Sequence, residues 1–425
     1  TLKQRNRLLE DMTDEVSRIV LQDCKDQTRT ISVTQVRGAE QLKEQIRFIH
    51  YLEKEGKLDR ALEFLPNEDE LADRLVNGKS LTRPELSVLV AYAKMVLKEQ
   101  LLTSEITEDS FLSQLLVEYF PKQLQEKYTA NMASHPLRGE IIATSLANEL
   151  VNDMGLNFVQ RMQDETGASV AEAAICYTMA REVFGLADLT KSITDLNGII
   201  PAVVQCEMLH QLRRNIRRAS RWFLRHRNRN LNIEQTIEFF TPVFDELKAN
   251  VHQYMDNDEV AGIRAESDAL IKEGVPEDVA MVVANVSTLF SALDIAQICD
   301  LEAKPVPLVA ETYFKLGASV DLHWFLEQIS AQPVSNHWQA LARAAFREEL
   351  DWQQRSLSSV VLRTCTESCD VNKIISEWIG ANQSLLERWF HMLADFKTSQ
   401  SHEFAKFSVA LRELNLLILH CEGQK

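Results

Sequence analysis

The stretch Leu81-Thr82-Arg83-Pro84-Glu85-Leu86 is a complete start signal for an α-helix. Thr82 stands where its hydroxyl can accept from the amide of the third helical residue, and Glu85 can reach back to the Thr82 amide. Pro84 is tolerated because a first-turn amide has no intrahelical partner. Leu81 can staple against Leu86 across the cap. Beyond it Leu86, Leu89, Val90, Ala93, Val96 and Leu97 recur at threes and fours, one apolar face of a helix running to about Leu102.

The same grammar extends in both directions. Ser169 and Glu172 repeat the capping pattern just after Thr166-Gly167 closes another helix. Leu8, Leu9, Met12, Val16, Ile19 and Val20 predict a helix from Lys3 to Asp23, and Gln41–Lys54 a second, closed by Gly56. Further helices are read at 138–154, 170–184, 201–226, 233–254, 259–272, 276–284, 306–316, 336–352, 383–397 and 403–419. Only Thr30–Val36 alternates in a way that suits a strand. No repeat of the roughly 33- to 45-residue period of helical solenoids is present. The expected fold is all-α: an irregular multi-helix assembly of one to three packed units, with at most one short strand pair near residues 30–36.

Composition agrees. Of 425 residues, 45% are apolar and 25% charged, ordinary globular values. The 13 Gly and 10 Pro make about 5% of the chain against about 12% on average, too few for the tight turns of a many-stranded fold. A net charge of −16 opposes general binding to polyanions. Apolar runs such as Val279–Ala284 and Leu416–Leu419 fall far short of the ~20 residues of a membrane span, and no export pattern opens the chain. Seven scattered cysteines fit the thiols of a reducing compartment, so the cytoplasm is the expected location and no membrane is an expected partner.

Most motifs that could carry chemistry fail on inspection. No two glycines are spaced as G-x-G, which excludes a Rossmann-type dinucleotide turn. Asn77-Gly78-Lys79-Ser80 imitates the end of a phosphate loop, but Asp73 stands where the first glycine belongs, so a helix-ending loop is expected. Cys365 and Cys369 share a helical spacing without a second pair or a nearby His, and read as thiols rather than zinc ligands. No catalytic, cofactor-binding or metal-binding residue is assigned.

One cluster stands apart. From Arg213 to Arg229 there are eight arginines and no acid. Arg214, Arg218, Arg221 and Arg225 follow at four, three and four, forming one helical stripe beside Trp222. Such a stripe suits anions or RNA, or acidic surface of the same or a neighbouring subunit, where planar guanidinium groups favour interface ion pairs. The global charge favours the protein partner and opposes nucleic acid.

Several strings carry a resemblance: Leu58-Asp59-Arg60-Ala61-Leu62-Glu63-Phe64-Leu65-Pro66, Leu81 to Leu86, His135-Pro136-Leu137-Arg138-Gly139-Glu140-Ile141-Ile142-Ala143-Thr144 with Leu146-Ala147-Asn148, and Asn6-Arg7-Leu8-Leu9 with Met12-Thr13. Together they resemble the C-terminal region of the large bacterial NAD-specific glutamate dehydrogenases, over the whole chain. The resemblance implies a cytoplasmic oxidoreductase of amino-acid catabolism that oxidises L-glutamate to 2-oxoglutarate and ammonium. Its NAD site and catalytic residues would lie upstream of Thr1, and no cofactor would be bound here. The Pro305–Pro307 segment is the best candidate joint along the chain and Asp256–Asp258 a second, so the expected division is 1–66 as helices continuing from an upstream catalytic region, 67–304 as a main helical domain and 305–425 as a C-terminal helical subdomain. The implied partners are the catalytic and regulatory domains of the same polypeptide and further copies of it in a homo-oligomer. Arg60, Arg83, Arg138 and Asn148 are then expected to fix helix packing, with Arg83 and Arg138 joining the stripe as docking candidates. Two functional classes follow: a non-catalytic helical domain that stabilises, assembles or regulates a dehydrogenase core, inactive alone, or an independent helical interaction protein, RNA-associated through Arg213–Arg229.

Overall fold

Helix ends and helix faces account for the architecture. The structure, a computed structural model, describes residues 2–226, 232–334, 336–364, 370–398 and 403–422. Among them every named element is helical, and the sole β-type pairing is an isolated bridge between Asn197 and Ile200. The chain is all-α.

Two compact units divide it, 1–237 with 272–279 and 238–271 with 280–425. The first contains α1 (Leu2–Val36), α2 (Gly38–Lys54), α3 (Glu68–Val76), α4 (Arg83–Leu102), α5 (Ser113–Glu118), α6 (Lys122–Ala133), α7 (Arg138–Met154), α8 (Phe158–Thr166), α9 (Val170–Val183), α10 (Leu186–Thr194) and α11 (Ala202–Arg225). Helices α12 (Ile233–Tyr254), α13 (Asn257–Lys272) and α14 (Glu277–Asn285) carry residues of both units. The second contains α15 (Ala292–Glu302), α16 (Val306–Ser319), α17 (Leu322–Ala331), α18 (His337–Arg363), α19 (Val371–Ala381), α20 (Gln383–Thr398) and α21 (Phe404–Glu422). Within the first unit α1 packs on α4, α7 and α11, far along the chain.

The capping boxes form as their spacing requires. Thr82 and Glu85 exchange side-chain and backbone bonds at the start of α4, as do Ser169 and Glu172 at α9, and Asn67 with Glu70 adds a third at α3. Leu81 and Leu86 are both buried. In the first unit α9 is buried on almost every side, and its Ala173, Ala174 and Ala180 keep it slim enough for α4, α8 and α11 to pack around it.

The strand reading at Thr30–Val36 is corrected: α1 continues through it to Val36. Thr30, Val33 and Thr34 are the buried positions, a spacing of three and four rather than two. The Thr34 hydroxyl donates to the Thr30 carbonyl and Ser32 to Thr28, each four residues back, which satisfies inside a helix the side chains that favoured a strand. Helix α18 likewise runs past the expected end at Trp352 to Arg363.

The second unit is built on an aromatic core. Phe325 lies 5.3 Å from Trp389, 5.4 Å from Phe396 and 5.5 Å from Phe407, centroid to centroid, spacings typical of edge and tilted ring pairs. The buried Trp389 indole donates to the Val320 carbonyl at 2.9 Å, so its one polar atom is satisfied. Beside this core Gln354 donates to the Tyr313 carbonyl at 3.1 Å and lies 3.1 Å from His323 Nε2, while His323 Nδ1 meets Glu259. This polar row crosses the helices where Gly317 lets them close: a Cβ there would come within 2.5 Å of His323 Nε2 and 2.6 Å of Gln354 Nε2. Gly317→Ala should therefore break the row and lower stability by about 1–3 kcal/mol, measured as a fall in the urea midpoint. An unchanged midpoint would show that the side chains move aside freely.

Candidate functional site

The arginine-rich helix α11 is where charge concentrates, and the structure turns much of that charge inward. Helix α7 ends inside the first unit at Gly155, whose φ of 89° turns the chain away, so its last carbonyls need donors other than water. Arg213 supplies them. Its Nε donates to the Asp153 carbonyl at 2.6 Å, and its Nη2 to the Asn152 carbonyl and to Thr30 Oγ1, both at 3.0 Å. Thr30 in turn donates to the Asn152 carbonyl. A cation at a helix C-terminus is also favoured by the helix dipole. Burial pushes the Arg213 pKa down to about 10, which leaves it charged at neutral pH.

The Asp153 side chain gathers the other helices. Its carboxylate accepts from the Tyr177 hydroxyl at 2.7 Å and lies 3.8 Å from both Arg29 and Arg181. Arg181 also lies 3.6 Å from Glu149 and pairs with Glu182. Burial, with Asp153 near by, pushes the Glu149 carboxyl up to about 7 despite the opposing pull of Arg181. Burial likewise raises the Tyr177 pKa well above its ordinary value.

A second junction lies at the end of α8. Glu165 receives Arg161 and Arg221, each at 2.6 Å, and the Glu165 and Arg221 side chains are both only 8% exposed. Burial pushes the Glu165 carboxyl up, and the two guanidinium groups more than offset it, holding the pKa below the ordinary range. Arg225 reaches the Glu165 carbonyl at 3.5 Å. At the other end of α11, Glu207 takes Arg37 at 2.7 Å. Burial, with the guanidinium groups of Arg37, Arg217, Arg213 and Arg214, pushes His210 down to about 4, so it adds no charge at neutral pH.

The docking candidates are thus distributed. Arg221 is buried in an ion pair, Arg225 is exposed with a bond to the end of α8, Arg218 is half-buried and Arg214 is exposed. Arg83 donates from the start of α4 to Ser32 and Gln35 of α1 at 3.0 and 3.1 Å. Arg138 pairs with Glu108 at 2.7 Å and donates to Ser113 at 3.2 Å. Arg60 grips Glu53 at 2.6 Å and Glu68 at 2.7 Å. Arg227, Arg229, Cys365 and Cys369 lie outside the described residues.

Asn77–Ser80 is the exit of α3, with Gly78 at φ 61°. Among the described residues no three or more His, Cys, Asp or Glu gather as a metal site, and no single helix is long and apolar enough to cross a membrane. The stripe of four did not include Arg213, the residue with the most bonds to helix ends. Its signal is readable, since Arg213 falls four after Leu209 and three before Ile216, on the apolar face of α11.

Among the described residues the chain is a strandless helical region whose charged side chains tie its own helices together. Residues 78–416 match the family described as Glutamate dehydrogenase, C-terminal, and this chain belongs to that family. It is 40% identical over 414 residues to the NAD-specific glutamate dehydrogenase of Pseudomonas aeruginosa and 38% identical over 414 residues to that of Halomonas elongata. Identity to the Mycobacterium tuberculosis NAD-specific glutamate dehydrogenase is 32% over 411 residues. Each comparison covers 97% of this chain but only 25–26% of the relative, so the chain spans about a quarter of their length.

Two outcomes follow from the junctions. Arg221→Gln strands part of the Glu165 charge in a buried place and should lower stability by about 3 kcal/mol, whereas Arg214→Gln at an exposed position should change it by less than about 0.5 kcal/mol. Urea titration of both variants checks this, and equal effects would contradict the burial contrast.

Glu149 gives the second. An acid whose pKa rises on folding favours the folded state below its unfolded pKa and loses that contribution as pH climbs through the folded value. Its share of the stability should therefore decline between about pH 4.5 and about 7. Glu149→Gln should flatten the pH dependence across that window in thermal melts, and identical slopes would refute the assignment.

Proposed function

We propose that this chain is the non-catalytic helical C-terminal region of an NAD-dependent glutamate dehydrogenase, and that it serves the stability, assembly or regulation of the catalytic core. The whole enzyme would convert L-glutamate, NAD and water to 2-oxoglutarate, ammonium and NADH in the cytoplasm, as a homo-oligomer. The observation that carries this is the coverage: nearly all of this chain aligns with about a quarter of each NAD-specific relative.

Two further features support it. The sequence has no G-x-G, and the described residues have no strand, so they offer no strand-turn-helix cradle for a dinucleotide's pyrophosphate. NAD would then be held by other parts of the polypeptide. The first half of α1 also carries Leu9, Val16, Val20 and Leu21 at 44–62% exposure, an apolar stripe suited to a neighbouring domain. An RNA-associated role for α11 is disfavoured because Arg213 and Arg221 face protein acceptors.

The test compares the purified chain with the complete polypeptide in an assay of glutamate-dependent NADH formation. The complete polypeptide should turn over and the chain alone should not. Turnover by the chain alone would overturn its non-catalytic role, and RNA retention at physiological salt, with affinity falling linearly in the logarithm of salt concentration, would favour the interaction-protein alternative.

A further inference from the structure

Between α2 and α3 the turn 58–66 places a bulky aromatic where two physical preferences oppose it. Phe64 adopts a φ of 53°, in the left-handed region that side chains with a Cβ avoid, and it is 91% exposed to water. Leu62 beside it is 74% exposed. A free loop would relax the backbone and fold these side chains inward. Here it is prevented from doing so.

Leu58 and Leu65 plug the two ends of the turn into the core, at 6% and 7% exposure. Arg60 ties the turn to Glu53 and Glu68 and donates to the Pro66 carbonyl at 3.4 Å. The Asp59 carboxylate accepts from the amides of Ala61 and Leu62 at 3.0 and 3.2 Å. Glu63 accepts from Tyr92 of α4 at 2.7 Å, and Lys57 pairs with Glu99 at 2.5 Å. Tyr92 and Glu99 share one face of α4, and Met95 between them, 56% exposed, lies on that face alongside the turn. The outcome is a braced apolar knob of Phe64 and Leu62, tied to the face of α4 that exposes Met95.

We propose that this knob is a preformed docking element whose Phe64 ring inserts into an apolar socket on the part of the same polypeptide that lies outside these 425 residues. The inference rests on the reading of the chain as one region of a longer dehydrogenase. Backbone strain held in place by surrounding bonds marks functional positions. Rigid aromatic anchors dominate interface energetics, because little conformational freedom is lost on binding. The occupant follows from chain length: relatives are about four times as long, so the rest of the polypeptide is always present at high local concentration. A second copy would present another convex knob. One pocket of the first unit, lined by Phe48, Tyr51, Leu97 and Phe158 among others, holds about 30 Å³, room for a water and not for a phenyl ring.

Hydroxyl-radical footprinting of the complete polypeptide tests the proposal, with the fully buried Phe325 as internal reference. Phe64 should be protected like Phe325, with oxidation slowed about tenfold or more against a freely exposed ring. Oxidation at the rate of an exposed ring overturns the docking. Protection lost on dilution to monomers assigns the socket to another copy and also overturns it. Phe64→Gly, which adopts φ > 0 without strain, should expose Met95 to oxidation several-fold while the buried Met162 and Met179 stay protected. Loss of protection at all three would make Phe64 a structural residue and overturn its docking role. An exposed Phe64 in a polypeptide with glutamate-dependent NAD reduction sinks this inference alone, whereas absent reduction sinks the functional reading instead.

Discussion

The end of α7 is the constraint around which the first unit is built. A helix that stops in the interior leaves carbonyls with no intrahelical donor, and burying them unpaired costs more than their bonds to protein return. Arg213 meets the Asn152 and Asp153 carbonyls from α11, Thr30 meets one of them from α1, and the Asp153 side chain collects Tyr177 and Arg181 from α9. One helix terminus thereby positions three other helices. Shape alone would let α11 slide along its apolar face; directed bonds from a planar guanidinium fix its register.

The second unit solves the same problem with other residues. Trp389 satisfies the Val320 carbonyl, and Gln354 satisfies that of Tyr313. Asp294, fully buried, meets Arg355 at 2.5 Å and the Tyr313 hydroxyl at 3.3 Å. Such buried pairs add less to stability than their short distances suggest, because both partners lose hydration, yet they penalise alternative packings severely.

These arrangements bear on function through what becomes of the charge. A cluster of eight arginines reads, as sequence, as a face for docking acidic protein surface, with anions or RNA as the alternative. Folding directs Arg213 and Arg221 onto helix ends and carboxylates of the same unit, while Arg214 stays in water. Exposed apolar groups occur on many elements, and those on the first half of α1 and on the turn carrying Phe64 are among them.

Local chemistry made much of this legible. The capping boxes at Thr82 and Ser169 need only residues three apart, and the apolar periodicity of α4, α7 and α11 needs only one helix, so all were readable along the chain. The motif strings gave the family for the same reason. Thr30–Val36 misled because alternating side chains describe a strand until a partner surface selects every third and fourth one for burial. The arginine stripe was visible as a helical face, but which of its members would be buried depended on where α7 and α8 end in space. Sequence by itself determined the helices, their caps and the kinship. Only the tertiary structure decided which charges are paired, that Arg213 closes α7, and that Phe64 is held out in solvent, because each depends on contacts between residues far apart in the chain.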